Sequence, residues 1–262
     1  IPRSLAMVAY GDLDCTAIDE LPPGRTPVTT TLIDHDRRDA VINRVGAACR
    51  DGRQAYWVCT AIEENDSLHM EAATATLDTL SAALPGVAIG LVHGKLKPAD
   101  KASVMAQFKA GTLQLLVATT VIEVGVDVPR ASLMIIDNAE RLGLAQLHQL
   151  RGRVGRGAIE SHCVLLFRPP LSNTAQERLK VMQDTHDGFV IAEADLRIRG
   201  PGELLGTRQT GLAQFRVARL PEHEALLITA HDIAQQLHQN DMARARALMA
   251  RWAGPRADFA RV

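Results

Sequence analysis

The chain has 262 residues, of which 47% are hydrophobic and 23% charged, and its formal net charge is −1. These proportions are typical of a soluble globular protein and exclude intrinsic disorder for most of the chain. No apolar run reaches the roughly 18 residues that a membrane-spanning helix needs, so we expect no contact with a membrane. The spacing of the four cysteines fits neither a disulfide framework nor paired metal knuckles, which indicates reduced thiols and a cytoplasmic protein.

The charge is unevenly distributed along the chain. Residues 1–140 carry 12 basic and 18 acidic side chains, whereas residues 141–219 carry 12 basic and 7 acidic ones. A basic block of this kind can bind phosphates or can simply be a solvated face, and charge alone leaves both open. Because the chain begins at Ile1 rather than at a methionine or a secretory leader, we expect it to be part of a longer protein.

Short apolar runs alternate with segments of helical spacing after residue 28. The predicted strands cover residues 29–33, 55–59, 87–92, 115–118, 133–136 and 162–167, and the predicted helices between them cover 36–50, 70–84 and 98–109. Continuously apolar strands that alternate with helices are typical of a parallel sheet covered on both faces. The sequence therefore predicts a doubly wound α/β domain over residues 28–168, preceded by a linker in residues 1–27. Tyr56 and Trp57 are expected in its core.

The pattern changes to helices after Pro169-Pro170. Two helices are predicted at 171–185 and 189–198, followed by a loop with Gly200, Gly202, Gly206 and Gly211, and then by helices at 221–238 and 242–252. We divide this part into a helical hairpin with its loop (169–215) and a C-terminal helical segment (216–262).

Two predicted loops at the carboxyl ends of strands carry residues suited to phosphate binding. His93, Gly94 and Lys95 follow one strand, but the spacing and Leu96 exclude a P-loop. Thr119 and Thr120 follow another strand, where hydroxyl groups can donate hydrogen bonds to a phosphodiester. A capping turn, with Thr120 as the cap and Pro129 as the stop, is the alternative, and the chemistry of the residues alone favours it.

The strongest local signal is an arginine-glycine segment over residues 149–157. It sets Arg151, Arg153 and Arg156 within six positions, and the nearest acidic residues are Glu140 and Glu160. Such a density of arginine makes sense opposite several negative charges. A solvated surface is the alternative.

Taken together, these segments resemble the second motor domain of superfamily two helicases of the RecG type. The resemblance extends from the first residue of the chain nearly to the last. The resemblance rests on residues 1–4 (the segment directly after motif III), 56–59 with 63–64 (motif IV), 93–96 (the tracking-strand loop), 118–129 (motif V), 149–156 (motif VI) and 188–211 (the translocation motif). It implies that 28–168 is a RecA-like helicase domain, that 1–27 is the tail of a preceding motor domain, and that 169–215 holds the translocation motif.

The resemblance also implies a function. It predicts an ATP-driven double-stranded DNA translocase that remodels branched DNA, by fork regression and Holliday-junction branch migration, in recombination and repair. ATP and Mg²⁺ would be the cofactors, with the Mg²⁺ ligands on a missing first motor domain, so this chain alone is not expected to hydrolyse ATP. Its partners would be forks and Holliday junctions, the missing first motor and wedge domains and, as a further candidate, single-strand-binding protein. The protein would be monomeric, cytoplasmic and associated with the bacterial nucleoid.

The family's functional positions fall on specific residues of this chain. Those implied to be catalytic are Arg153 and Arg156; those implied to bind ATP are Gly125, Asp127 and Gln149. The implied DNA contacts are His93, Gly94, Lys95, Thr119 and Thr120, and the implied translocation residues are Arg178, Arg199 and Gln209.

Two alternatives remain at this point. By its residues alone, Arg178 reads as a surface helix residue paired with Glu177 or Asp184. The whole chain could also be a non-catalytic DNA-binding or regulatory module. The presence of both Arg153 and Arg156 favours the enzyme, because a module without catalysis does not need them.

Overall fold

The computed structural model describes residues 27–60, 66–119, 128–157, 159–204 and 225–253. Within these residues, strands β1 (Val28–Asp34), β2 (Gln54–Val58), β3 (Ile89–Val92), β4 (Leu115–Ala118), β5 (Ala131–Ile136) and β6 (Ser161–Phe167) form one sheet. Every pairing is parallel, and the order across the sheet is β1-β6-β5-β2-β4-β3. The predicted doubly wound parallel α/β fold is confirmed.

The central strands show why the sheet is parallel and covered. Both β2 and β4 are buried at every position, and each lies between two other strands. Strands buried on both faces have no need for alternating polar residues, so they read as continuous apolar runs.

Helices connect the strands and continue beyond them. They are α1 (Arg38–Arg50), α2 (Asp66–Ala83), α3 (Pro98–Ala110), α4 (Leu144–Arg151), α5 (Asn173–Asp184), α6 (Gly188–Leu204), α7 (Ala225–Asn240) and α8 (Met242–Ala253). Helix α3 has Pro98 in its first turn and is followed by Gly111, as predicted. None of the helices in the described part of the chain is long and apolar enough to span a membrane.

Adjacent residues of β2 point to opposite faces of the sheet and build two separate cores. Tyr56 packs on the face covered by α3, α4 and α5, where its ring lies 4.9 Å from that of Phe108. Trp57 is fully buried on the opposite face, under α1 and α2. The side-chain period of two along a strand produces this division, and the predicted burial of both aromatic residues is confirmed.

Helix α6 is longer than the sequence predicts. We expected it to end at residue 198, before Gly200, but the helical backbone continues to Leu204 through Gly200-Pro201-Gly202. Glycine and proline lower helix propensity, yet extending an existing helix costs far less than nucleating a new one. The rest of the predicted glycine-rich loop, and the predicted start of the next helix at 221, lie outside the described residues.

The described residues divide into two compact units, 27–198 and 199–253. The first contains the sheet, α1 to α5 and most of α6. In the second, α7 and α8 contact each other.

Candidate functional site

The predicted motif VI segment begins on helix α4 and continues into a loop. The side chain of Gln146 accepts a hydrogen bond from the backbone N–H of Gly143 (3.1 Å), which closes the start of α4. Leu144 and Leu147 face the core, whereas Gln149 lies on the exposed side of the helix. The predicted nucleotide-sensing glutamine is therefore accessible to a ligand.

The loop after α4, residues 152–157, is called here the arginine loop. Val154 is fully buried and anchors the loop to the core between Arg153 and Arg156. Arg153 is half-buried and Arg156 is exposed, with its Nε 3.4 Å from the carbonyl oxygen of Gly152. Gly155 has a φ of 77°, a conformation that favours glycine and lets the chain turn sharply before Arg156. Both predicted catalytic arginines thus lie outside the core.

The arginine loop packs directly against the end of the predicted motif V segment. A Cβ atom placed on Gly157 would lie 2.6 Å from the carbonyl oxygen of Pro129, so only glycine fits there. Val128, beside this proline, is buried and holds the contact in place. The structure therefore brings the end of motif V and the arginine loop side by side. Gly125 and Asp127, the predicted ATP-binding residues of motif V, lie outside the described residues.

Arg151 differs from the other two arginines, and the expectation that all three face negatively charged groups is wrong for it. Its side chain is buried, with a relative exposure of 4%. Nη1 donates to the carbonyl oxygens of Met182 (2.8 Å) and Thr185 (2.9 Å), and lies 3.4 Å from the hydroxyl of Thr30. The first two acceptors belong to the carboxyl end of α5, where unpaired carbonyls give partial negative charge. Burial lowers the pKa of Arg151.

A periodic signal in the sequence marks this difference. Arg151 follows Leu144 and Leu147 at helical spacings of seven and four residues, so all three lie on the buried face of α4. Arg153 and Arg156 come after α4 has ended, so the helical repeat does not determine which way their side chains face.

Arg178 on α5 forms a second link to the same region. Its Nη1 donates to the carbonyl oxygen of Leu142 (2.7 Å) and its Nη2 to that of Glu140 (3.0 Å), in the segment that leads into α4. Glu177 is instead paired with Arg197 of α6 at 2.9 Å. These two hydrogen bonds join Arg178 to the lead-in of motif VI.

The predicted DNA contacts lie at the carboxyl ends of β3 and β4. The backbone N–H of Thr119 donates to the carbonyl oxygen of Val92 (3.1 Å), which places Thr119 beside the loop that holds His93, Gly94 and Lys95. Gly94 and Lys95 are exposed and His93 is half-buried. The Thr119 hydroxyl and the Nδ1 atom of His93 are buried, with no hydrogen-bond partner among the described residues.

The other half of this edge holds an internal cluster of charges. The carboxylate of Asp137, after β5, lies 3.3 Å from Nε of Arg38 and 3.5 Å from Nε2 of His35. Arg38 also stacks over the ring of Trp57, 5.1 Å from its centroid. Lys95, which is exposed in the loop after β3, adds a positive charge at the side of the edge formed by β3 and β4.

Several predicted positions cannot be placed. Thr120 and Gln209 lie outside the described residues. The backbone of Arg199 is part of α6, and its side chain is not among those that the structure describes.

Comparison with known proteins matches two consecutive parts of the chain. A family model described as the helicase conserved C-terminal domain matches residues 36–158, and one described as domain 3, C-terminal, of the ATP-dependent DNA helicase RecG matches residues 185–250.

Individual relatives match nearly the whole chain. ATP-dependent DNA helicase RecG of Escherichia coli (strain K12) is 64% identical over 253 residues, which is 96% of this chain and 36% of that protein. RecG of Acidithiobacillus ferridurans is 57% identical over 262 residues, which is 100% of this chain and 38% of that protein. A solved structure of RecG bound to a three-way DNA junction superposes with a TM-score of 0.67 at 47% identity, covering 87% of this chain and 29% of that one.

The chain spans little more than a third of the length of these curated relatives. Along the chain, the match to the helicase conserved C-terminal domain is followed by the match to RecG domain 3. The chain belongs to the RecG family of ATP-dependent DNA helicases.

Proposed function

We propose that this chain supplies the second motor domain and the translocation hairpin of an ATP-driven double-stranded DNA translocase. Its proposed substrates are stalled forks and Holliday junctions, which it regresses or migrates during recombination and repair. The arginine loop, packed against the end of motif V with Arg156 exposed, carries this proposal. A RecG relative bound to a three-way DNA junction supports branched DNA as the substrate class.

ATP is proposed to bind between this domain and a first motor domain that supplies the phosphate loop and the Mg²⁺ ligands. The residues of this chain fit that arrangement, because the arginine loop carries the exposed Arg156 and the half-buried Arg153 beside the end of motif V. When bound, Mg²⁺ and ATP supply the phosphoryl transfer that drives movement. Arg153 and Arg156 stabilise the charge that develops on the γ-phosphate, and Gln149, with Gly125 and Asp127 from motif V, senses the nucleotide.

DNA is proposed to bind at the carboxyl ends of β3 and β4. Lys95 contributes a positive charge, and the loop at His93 and Gly94 allows close approach of a phosphate. Thr119, whose buried hydroxyl has no partner among the described residues, and Thr120 are the proposed hydrogen-bond donors to the DNA backbone. Contacts to phosphates hold DNA without reading sequence, as a translocase requires, and weaken as salt rises.

Translocation is proposed to run through the helical hairpin. Arg178 ties α5 to the segment that leads into α4, so a shift of the arginine loop around the nucleotide can reach the hairpin. Arg199 and Gln209 are the proposed further members of this coupling, by the family resemblance. Closure of the ATP cleft then moves the hairpin and its loop along the duplex.

The relatives reported above are bacterial, which supports a bacterial setting. The proposed location is the cytoplasm, at the nucleoid, and the proposed state is a monomer. Its proposed partners are branched DNA, the first motor and wedge domains and single-strand-binding protein.

The test is Arg156→Ala in the full-length protein. We expect the kcat for DNA-stimulated ATP hydrolysis to fall by about 10³–10⁵-fold, the range typical of an arginine finger. The Kd for a forked duplex should stay within about 2-fold, because Arg156 is not among the proposed phosphate contacts to DNA. Arg44→Ala, an exposed arginine on α1, is the matched control and should retain the parental turnover. Near-normal turnover in Arg156→Ala would refute the finger assignment.

A further inference from the structure

Arg151 connects the helix before the arginine loop to the turn of the helical hairpin, which is residues 185–187 between α5 and α6. Its Nη1 donates to the carbonyl oxygens of Met182 and Thr185, one on the last turn of α5 and the other where the turn begins. Both bonds are shorter than 3 Å. They are hydrogen bonds from a charged donor, which are about twice as strong as neutral ones.

The charge of Arg151 is held by backbone dipoles. Within the described residues no carboxylate forms a salt bridge with it, and the carbonyls of Met182 and Thr185 take that place. A buried guanidinium is costly unless its donors are paired, so Arg151 is stable only while the end of α5 stays in position. The contact therefore specifies one relative placement of α4 and the hairpin turn.

His148 adds a second contact between the same two elements. Its Nδ1 lies 3.4 Å from Nη2 of Arg151, and its ring lies beside Gly188, where an added Cβ would be 3.3 Å from Nε2. Helix α4 thus meets both the end of α5 and the start of α6. A rigid-body shift of α4 cannot occur without moving the hairpin turn or breaking these contacts.

The backbone links Arg151 tightly to the arginine loop. The N–H of Arg153 donates to the carbonyl oxygen of Leu150 (3.0 Å), and that of Val154 donates to the carbonyl oxygen of Arg151 (3.3 Å). This tight turn leaves little freedom between the buried guanidinium and the proposed catalytic arginine two residues later. A displacement of Arg153 is passed to Arg151 through a hydrogen-bonded turn.

We propose that Arg151 is a positioning residue that makes the arginine loop and the hairpin turn move together, so that ATP hydrolysis is coupled to DNA movement. This inference rests on the proposed function. Arg178 makes the reciprocal link, from the hairpin to the lead-in of α4, and Arg151 completes it from the side of α4. Loss of Arg151 leaves Arg153 and Arg156 in place but frees the hairpin turn from them.

The experiment compares Arg151→Met, Arg151→Lys and Lys180→Met in the full-length protein. Lys180→Met removes one positive charge from the exposed side of α5, so it controls for charge alone. Two rates are measured on the same forked duplex, ATP hydrolysis and base pairs unwound, and their ratio is the readout. A thermal unfolding curve for each protein establishes that it is folded at the assay temperature.

We expect Arg151→Met to hydrolyse ATP within about 3-fold of the parent but to unwind at least about 10-fold fewer base pairs per ATP. Arg151→Lys keeps the charge but lacks the forked donors, so its ratio should fall by about 3-fold. Lys180→Met should keep the parental ratio. If Arg151→Met is unfolded at the assay temperature, Arg151→Lys decides the question.

If folded Arg151→Met unwinds as many base pairs per ATP as the parent, the inference is overturned, even if both rates fall in proportion. The same result in Arg151→Lys overturns it when Arg151→Met is unfolded. A proportional fall is the result of a purely structural role. A parent protein that shows no ATP-dependent fork unwinding would instead overturn the proposed function, and the inference with it. The two failures are therefore distinguished by the parent alone.

Discussion

The arginine loop and the contact between α4 and the hairpin turn use the same side chain for opposite purposes. Arg156 is exposed in a loop shaped by glycines, whereas Arg151 is buried and paired with the carbonyls of Met182 and Thr185. Five positions separate the two. The backbone that carries them differs. Arg151 lies on the buried face of α4, whereas Arg156 lies in the loop after the end of that helix. Density of charge in a sequence therefore does not show which members of a cluster meet a ligand.

The contrast also has an energetic side. A buried arginine contributes to stability through its hydrogen bonds and the packing of its stem, and removing it leaves its acceptors unpaired. An exposed arginine contributes little to stability, and its guanidinium can be reached by a ligand from solvent. Stability and catalysis should therefore respond to mutation in opposite ways in the two regions.

Of the three tests of this difference between the two regions, the substitution Gly157→Ala should have the largest effect. The added Cβ would lie 2.6 Å from the carbonyl oxygen of Pro129, so the arginine loop must shift away from the motif V segment. A misplacement of about 1 Å can lower a rate by about 10²-fold, and we expect that fall in the kcat for ATP hydrolysis by the full-length protein. Ile159→Ala, at an exposed position of the same loop region, is the control. Parental kcat in a folded Gly157→Ala would show that the contact does not position the arginines.

The second test compares the unfolding free energies of variants at the buried and the exposed arginine. Arg151→Met in this chain should lower the free energy of unfolding by about 1–3 kcal/mol, because two carbonyls lose a charged donor. Arg156→Ala should change it by less than about 0.5 kcal/mol, as is usual for exposed positions. Urea titrations of both variants measure the difference. Equal losses would mean that the two arginines do not have the separate roles assigned to them.

The smallest effect concerns His186 in the hairpin turn. Partial burial, and then the charge of Arg151, lower the pKa of His186. His186 therefore takes up a proton more readily in the unfolded chain than in the folded one. The stability that neutral His186 provides is present above the ordinary histidine pKa of about 6.5, and it is lost as the pH falls below that value. His186→Gln should reduce the drop in urea midpoint between about pH 7.5 and 5.5. If the drop in urea midpoint is the same in His186→Gln as in the parent, the surroundings of His186 in the hairpin turn do not make the stability depend on pH.

Local patterns were sufficient to predict most of the fold. Continuous apolar runs identify the central strands β2 and β4, because strands buried on both faces have few polar positions. Pro98 and Gly111 mark the two ends of α3. The same rules place the end of α6 too early, since glycine and proline weaken a helix without always ending it. The register and strand order depend on contacts across the sheet, which local patterns do not specify.

The site was predicted in part, for a similar reason. The arginine-glycine segment pointed to Arg153 and Arg156, and their roles remain predictions. The packing of Gly157 on Pro129 and the carbonyl partners of Arg178 depend on tertiary placement, which one sequence does not display. The burial of Arg151 could have been predicted, because it continues the apolar stripe of Leu144 on α4.

An experimental structure of the full-length protein with a non-hydrolysable ATP analogue and forked DNA tests the central claim most directly. The account predicts that the guanidinium of Arg156 lies within about 3 Å of a γ-phosphate oxygen, while Arg151 keeps its bonds to the carbonyls of Met182 and Thr185. If Arg151 left those carbonyls for the nucleotide, or Arg156 pointed away from it, the assignment of the two regions would be contradicted.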